Sequence, residues 1–117
     1  FLYHLECNDN QLYSLDISCP MLEYLNCDNN LIDELNIESS NLVELRCSNN
    51  PLTFFSGETF PLLIILEIYN TEIYSIDLSQ SILLNWLSIG SNPNLLDLDC
   101  GDSITGAIAI GLYFNSA

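Results

Sequence analysis

Basic residues are almost absent from this sequence. It has no lysine and one arginine, Arg46, against sixteen acidic residues, so its formal net charge is −15 at pH 7. Proteins that bind nucleic acid place clustered Lys and Arg against the phosphates, and this composition excludes nucleic acid as an expected partner. An acidic surface instead favours solubility and attracts cations and basic proteins. A protein partner of this chain is therefore expected to be basic.

Long apolar runs and the usual catalytic motifs are also missing. The longest apolar run, 62–66, is far shorter than the about 18 residues of a transmembrane helix, so we expect no membrane insertion. The single histidine, His4, has no evident nucleophile and carboxylate to complete a triad, and there is no glycine-rich phosphate loop. We predict that the chain is not an enzyme and binds neither a metal ion nor a cofactor. Because Phe1 begins within a repeat, we expect a fragment or a processed chain.

One spacing, L-x-x-L-x-C-x-x-N, recurs five times, with Ile in place of Cys in the last two copies and Thr71 in place of Asn in the fourth. The steps between its first leucines are 20, 20, 21 and 21 residues. A second apolar stripe follows each copy and is clearest as LDIS or IDLS. It is altered at 52–57 and at Pro93, where we expect bulges or altered turns. The five copies begin at Leu2, Leu22, Leu42, Leu63 and Leu84.

Five copies in register resemble the leucine-rich-repeat signature, L-x-x-L-x-[LC]-x-x-N-x-L. The form with Cys and LDIS is similar to the 21-residue repeats common in bacterial surface and secreted proteins, which suggests an extracellular or cell-surface location. The resemblance implies a single leucine-rich-repeat domain: a β-rich, right-handed solenoid with one short parallel strand per repeat and little or no α-helix on the convex side. We place the repeats at 1–21, 22–41, 42–62, 63–83 and 84–104, followed by a degenerate sixth strand or C-terminal segment at 105–117.

The residues themselves support short strands. Alternation around Leu5 and Cys7 places both side chains on one face of a strand and their polar neighbours on the other. Stacked coils bring these strands side by side at about 4.8 Å, and each coil buries its leucines against the next because one coil alone has no core. With 20 or 21 residues per coil, the outer side has no room for a regular helix, so we expect extended or turn-like backbone there.

The last segment continues the pattern only in part. Ile108 and Ile110 lie one 21-residue step after Leu87 and Ile89, so we expect a sixth strand in register with the fifth. The alternative is a strand that pairs with another part of a longer chain. In the first case the outward columns would continue through Ala107, Ala109 and Gly111.

Cysteine and asparagine recur at fixed sites of the repeat. The cysteines alternate with core leucines, so we expect free, buried thiols that act as small hydrophobes, not disulfides or a zinc site. An intermolecular bond through an exposed Cys19 is the alternative. The asparagines should turn inward and bond backbone groups of the bend and of the adjacent coil. The predicted structural ladder comprises Cys7, Cys27, Cys47, Asn10, Asn30, Asn50 and Asn92.

The outward strand residues form columns, and in leucine-rich-repeat proteins this surface lines the concave face that binds partners. Large aromatic and Arg side chains are the types enriched at interface hot spots. The alternative is that these side chains only pack across adjacent strands. For Arg46, between Glu67 and Glu44, we expect local charge compensation. The predicted partner-binding residues are Tyr24, Arg46, Ile65, Glu67, Tyr69 and Trp86.

A row of carboxylates lies in the second half of the repeat, at Asp16, Asp77 and Asp99. Ca²⁺ prefers six to eight oxygen ligands, so stacked carboxylates are a calcium-binding alternative. No calcium-loop motif accompanies them, and a capped turn or a solvated edge is the favoured interpretation.

Together these patterns favour a non-catalytic recognition module that binds a protein, or less favourably a glycan, on the concave sheet. The alternative is a structural protein whose open solenoid ends stack end to end into a fibre or surface layer, because exposed strand edges and uncapped core would drive association.

Overall fold

The computed structural model describes residues 1–101 and the strand at 109–111. The described residues form short strands only, and no helix among them has the length and apolar character needed to cross a membrane. In chain order the strands are β1 (His4–Glu6), β2 (Ser14–Ser18), β3 (Tyr24–Asn26), β4 (Glu34–Glu38), β5 (Glu44–Arg46), β6 (Phe54–Ser56), β7 (Ile65–Glu67), β8 (Ser75–Asp77), β9 (Trp86–Ser88), β10 (Asp97–Asp99) and β11 (Ala109–Gly111).

One strand from each successive coil joins a single parallel sheet, in the order β1-β3-β5-β7-β9-β11. We number the coils one to five by the repeats given above. The register is the one that the repeat predicts, because the central leucines of the first five strands are mutual partners. The β-rich solenoid with a common parallel sheet and no helix in its described part is therefore confirmed.

The other half of each coil also forms a strand, although we expected only extended or turn-like backbone there. β2 pairs with β4, and β6, β8 and β10 form a separate parallel sheet. In both cases apolar residues alternate inward with polar residues outward, so the two halves of each coil close on one core.

The core is a stack of leucine and isoleucine rows between the two halves. Its residues in coils two to four are almost all buried, whereas in coil one Leu5, Leu12 and Leu15 are only half-buried and Leu2 is exposed. This gradient follows from stacking, since an inner coil is covered from both sides and coil one from one side only. Within the described part, every buried side-chain nitrogen or oxygen has a hydrogen-bond partner.

The sixth strand of the sheet, β11, has a different register from the expected one. Ile110 lies opposite Leu87, two residues away from its expected partner Ile89, and Ala109 lies opposite Trp86. A shift of two residues preserves the alternation of faces in a strand, so the apolar pattern alone does not distinguish these registers. Ala107 and Ile108, which we expected in this strand, lie outside the described residues.

Candidate functional site

The outward side chains of the six-stranded sheet are arranged in columns by its register. We call this surface the sheet face. Its first column begins each strand and its second column ends it, so each column runs across five coils. The first column is His4, Tyr24, Glu44, Ile65 and Trp86, and the second is Glu6, Asn26, Arg46, Glu67 and Ser88.

Arg46 is held between two carboxylates at the centre of the sheet face. Its Nε lies 2.7 Å from Glu44 Oε2, and its Nη1 lies 2.8 Å from Glu67 Oε2. The hydrogen bond to Glu44 and the two negative charges raise the pKa of Arg46. The single arginine and Glu67, both predicted to contact a partner, therefore engage each other within the sheet.

Tyr24 packs within the sheet face too. Its ring stacks on the His4 ring with the centroids 4.0 Å apart and the planes 8° from parallel. The His4 Nε2 atom also lies 3.1 Å from Glu6 Oε1. Tyr24 therefore packs across adjacent strands, as the alternative interpretation of the sequence proposed.

The apolar part of the sheet face lies on coils four and five. Ile65 and Trp86 are direct strand partners, and the carbonyl of Ile64 accepts hydrogen bonds from the backbone N–H of Trp86 and of its preceding residue. Four apolar side chains on β9 or in the segments that lead into β7 and β9 are well exposed, and we call them the apolar edge: Leu62 (41%), Ile64 (37%), Leu83 (50%) and Trp86 (46%).

Three members of the apolar edge were missed in the sequence. Leu62 and Leu83 each precede a fully or largely buried leucine, Leu63 and Leu84. Leu62 and Leu83 each lie in a turn, which is closed by the N–H of the following leucine on the carbonyl three residues before it, so only the second leucine of each doublet enters the core. The doublets were therefore a usable signal for an exposed apolar side chain.

Tyr69 lies two residues beyond Glu67, the last residue of β7. It is half-buried, and with Ser88, Gly90 and Ser91 it lines a depression of about 280 Å³. Its backbone N–H donates to Ser48 Oγ at 3.0 Å, which fixes the turn. The missing side chain at Gly90 leaves one face of the Tyr69 site open.

Comparison with known proteins identified no relative of this chain. No family model, curated protein or solved structure matches the chain. In the part of the chain that the structure describes, no group of three His, Cys, Asp or Glu side chains is placed to hold a metal ion. The sheet face presents exposed apolar and aromatic side chains beside ion-paired charges, a combination suited to contact with the surface of another molecule.

The predicted asparagine ladder runs through the turns after the sheet. Asn50 is buried, and its Nδ2 donates to the carbonyls of Cys27, Cys47 and Ser48 at 3.0–3.3 Å. Its Oδ1 accepts the backbone N–H of Ile32 at 3.1 Å. Each inner asparagine therefore bonds its own bend and the preceding coil. Asn30 and Asn92 bond in the same way, whereas Asn10 is exposed and reaches only its own bend.

A second polar ladder lies one residue earlier and was missed in the sequence. Its residues adopt the left-handed backbone conformation, with φ between 54° and 59°, which Asn and Asp tolerate better than other side chains. Three of the amides bond along the stack, from Asn70 to Asn49, Asn49 to Asn29 and Asn29 to Asp9, at 2.6–2.7 Å. The Asn-Asn doublets 29–30 and 49–50 were the signal: one amide turns inward and the other bonds along the surface.

The five cysteines are free thiols. Cys27 and Cys47 are fully buried and follow the central leucines of β3 and β5, and Cys7 occupies the same site in coil one. Burial raises the pKa of both inner thiols well above the ordinary value, so they stay protonated at neutral pH. Cys19 is half-buried.

The carboxylate row is divided between the two smaller sheets. Asp77 lies opposite Asp99, whereas Asp16 lies opposite Asn36, which donates to it at 3.2 Å. Asp77 accepts hydrogen bonds from the hydroxyl and the backbone N–H of Ser79, and these bonds lower its pKa. In this geometry the carboxylate of Asp77 caps the following turn.

Asp28 lies two residues beyond the end of β3, and burial penalises the ionisation of its carboxyl group. Burial raises its pKa, although its Oδ1 accepts the backbone N–H of Ser48 at 2.7 Å. A carboxyl whose pKa is higher in the folded than in the unfolded state stabilises the fold below the unfolded pKa. That contribution is lost as the pH rises through the folded pKa.

The Asp28→Asn variant is therefore expected to be as stable as the wild type at pH 7 or slightly more stable. Its gain in unfolding free energy should be less than about 1 kcal/mol, because partial exposure screens the charge. The amide oxygen can still accept the Ser48 N–H, and at pH 3 the two proteins should be equally stable. Urea unfolding at both pH values measures this, with the exposed Asp33→Asn as control. A variant that is clearly less stable at pH 7 would show that the charge of Asp28 supports the fold.

Proposed function

We propose that this chain is a non-catalytic recognition module of the leucine-rich-repeat type, which binds a protein partner through its sheet face. The observation that carries the proposal is the apolar edge of the adjoining coils four and five, where Trp86 on β9 is exposed together with Leu62, Ile64 and Leu83 in the segments that lead into β7 and β9. Soluble proteins expose single apolar side chains everywhere, but adjoining ones mark interaction surfaces.

The residue types and their surroundings support a protein partner over a glycan. A tryptophan beside aliphatic side chains is the composition of an interface core, where Trp is among the residues that contribute most to binding. The ion-paired Glu44 and Glu67 lie next to this edge as a polar rim. With a net charge of −15 on the chain, the complementary partner is basic around an apolar centre.

The six predicted contact residues do not contribute equally to this proposal. Trp86 and Ile65 lie on or beside the apolar edge, and Tyr69 lines the nearby depression at the end of the strands. Tyr24 and Arg46 are engaged by His4, Glu44 and Glu67, so we assign them to ordering the face.

The test is affinity capture with quantitative mass spectrometry, comparing the wild type with Trp86→Ala and Leu83→Ser. A true partner is one that the wild type enriches and that both variants lose, since truncating a central aromatic typically costs more than about 2 kcal/mol of binding. The matched control is Tyr13→Ala, which removes another exposed ring from the opposite half of a coil. If every enriched protein is retained by both variants, the sheet face is not the binding surface.

Self-assembly through the solenoid ends is the second candidate. It is favoured by coil one, where Leu2 and Tyr3 are exposed and the core residues Leu5, Leu12 and Leu15 are only half-buried, with β1 at the edge of the sheet. Light scattering of the purified chain distinguishes the candidates. If the particle mass grows with concentration and a charged residue in place of Leu2 abolishes this growth, the result supports stacking. A chain that stays monomeric at high concentration counts against it.

A further inference from the structure

The second half of the solenoid contains a break in its sheet. Coils two and three are joined on one side, where β3 pairs with β5. On the other side, β4 pairs only with β2, and β6 pairs only with β8. Nearly all Cα pairs between β4 and β6 are more than 8 Å apart, whereas hydrogen-bonded strands lie about 4.8 Å apart.

The sequence of coil three explains why the two strands separate. In coil two, the backbone N–H of Leu31 donates to the carbonyl of Leu12 at 2.8 Å. Pro51 occupies the equivalent site in coil three, and proline has no N–H to donate. Coil three also has Gly57 where the neighbouring coils have Ile37 and Leu78, so a large core side chain is missing beside the gap.

The gap is a groove with an apolar floor. It has a volume of about 360 Å³ and is lined by Leu35, Ile37, Phe54, Phe55 and Phe60 with adjoining polar residues. Further depressions continue it at both ends. Leu35 is only half-buried although coils lie on both sides of it, whereas its equivalent in coil four, Ile76, is fully buried. Apolar surface is therefore exposed in the interior of the stack, away from the ends.

Both walls of the groove carry unpaired strand edges. In coil three, Gly57 N–H donates to the carbonyl of Asp77 on the coil-four side. Because peptide groups of successive residues in a strand point to opposite sides, those of Phe54 and Ser56 point into the groove. β4 presents its free edge from the other wall, since its ladder partner is β2 alone. Two facing edges of this kind form a template for one more strand.

The rim of the groove is acidic. Asp33, Glu34 and Glu38 are all exposed along it, and none of them forms an ion pair in the part of the chain that the structure describes. The only arginine of the chain is bound by Glu44 and Glu67 on the sheet face. A second copy of the chain, which has the same acidic charge, is therefore disfavoured as the occupant.

We propose that this groove binds one extended cationic peptide segment of a partner protein, which adds as a strand between β4 and β6. Main-chain hydrogen bonds to the two free edges would hold the segment, as in other cases of strand addition. Its side chains alternate, so apolar residues would contact Leu35 and Phe55 while basic residues would face Glu34 and Glu38. This site lies on the opposite half of the coils from the sheet face and does not depend on the proposed function.

The probe is a fluorescein-labelled octapeptide of alternating lysine and valine, and its binding to the full chain is followed by fluorescence polarisation. The double variant Glu34→Lys/Glu38→Lys should bind it roughly tenfold or more weakly, because two attractions become repulsions. The matched control is Glu72→Lys/Asp97→Lys, which makes the same change of charge at exposed sites of the neighbouring coils and should bind like the wild type.

A second probe separates strand addition from general attraction between charges. The same peptide with N-methylated alternate amides keeps its charges and loses backbone donors, so its affinity should also fall roughly tenfold. Equal binding of the two peptides, or equal loss in the control variant, would overturn the proposal. The proposal would also be overturned if the chain dimerises, the Glu34→Lys/Glu38→Lys variant does not, and the peptide fails to bind. The occupant of the groove would then be a second copy of the chain.

Discussion

The Asn50→Ala variant is expected to lose about 2 to 6 kcal/mol of unfolding free energy. Among the described residues, the Asn50 side chain is the one partner of the Ile32 N–H and the Cys47 carbonyl, and both groups lie in the core. The other two carbonyls that it binds keep a second donor: Asn30 Nδ2 for Cys27 and the Asn29 N–H for Ser48. The loss thus comes from two orphaned buried groups, at about 1–3 kcal/mol each.

Urea unfolding followed by circular dichroism measures this loss, and Asn10→Ala is the matched control. Asn10 holds the same place in coil one, but it is exposed and donates only to the carbonyls of Cys7 and Asn8. Since water can replace those bonds, the control should lose less than about 1 kcal/mol. Similar losses in the two variants would mean that the asparagines do not join the coils.

The Phe60→Ala variant is expected to lose about 3 to 5 kcal/mol, the usual range for truncating a buried aromatic. Phe60 is 5% exposed, and its ring centroid lies 6.0 Å from that of Phe55. The equivalent site in the adjoining coils is Ser39 or Ser81, while the large core residue of those coils is replaced by Gly57. In coil three the large side chain is therefore at position 60 and not at position 57. The Phe60→Ala variant has no large side chain at either position, so a cavity is left in the core.

The control for Phe60 is Phe54→Ala, because Phe54 belongs to the same coil but is 54% exposed. It should change the stability by less than about 1 kcal/mol. Thermal unfolding of both variants gives the comparison. A small loss for Phe60→Ala would show that the core of coil three is assembled by other residues.

The main sheet was predictable because every coil repeats the same constraint. Leu5, Leu25 and Leu45 each need cover from the next coil, and only one register supplies it in every step. The sites of the turn asparagines follow for the same reason. A repeating pattern is informative wherever the coils are alike.

Coil three could not be predicted in this way because it departs from the other coils at several sites together. A glycine at 57 and a phenylalanine at 60 look like two irregularities in the sequence, and their compensation becomes visible only in three dimensions. A side chain at 57 would collide with the Ser81 hydroxyl, a contact between residues far apart in the chain. The break between β4 and β6 is likewise a property of two coils together.

On the sheet face, the sequence predicted the columns and the local charge compensation of Arg46 by Glu44 and Glu67. The outward position of Tyr24 follows from strand alternation, whereas its stacking on His4 depends on rotamers. The apolar edge was missed in part because Leu62, Ile64 and Leu83 lie before the strands, outside the predicted outward columns.

The central claim is that successive coils stack so that each covers the apolar rows of the next, and native-state thiol labelling tests it most directly. Cys27 and Cys47 are fully buried in one row, whereas Cys19 is partly exposed. With a maleimide reagent and peptide mass spectrometry, Cys27 and Cys47 should label more than roughly a hundredfold more slowly than Cys19, and at the same rate once urea unfolds the chain. Labelling of all three at similar rates without urea would contradict the stacked core.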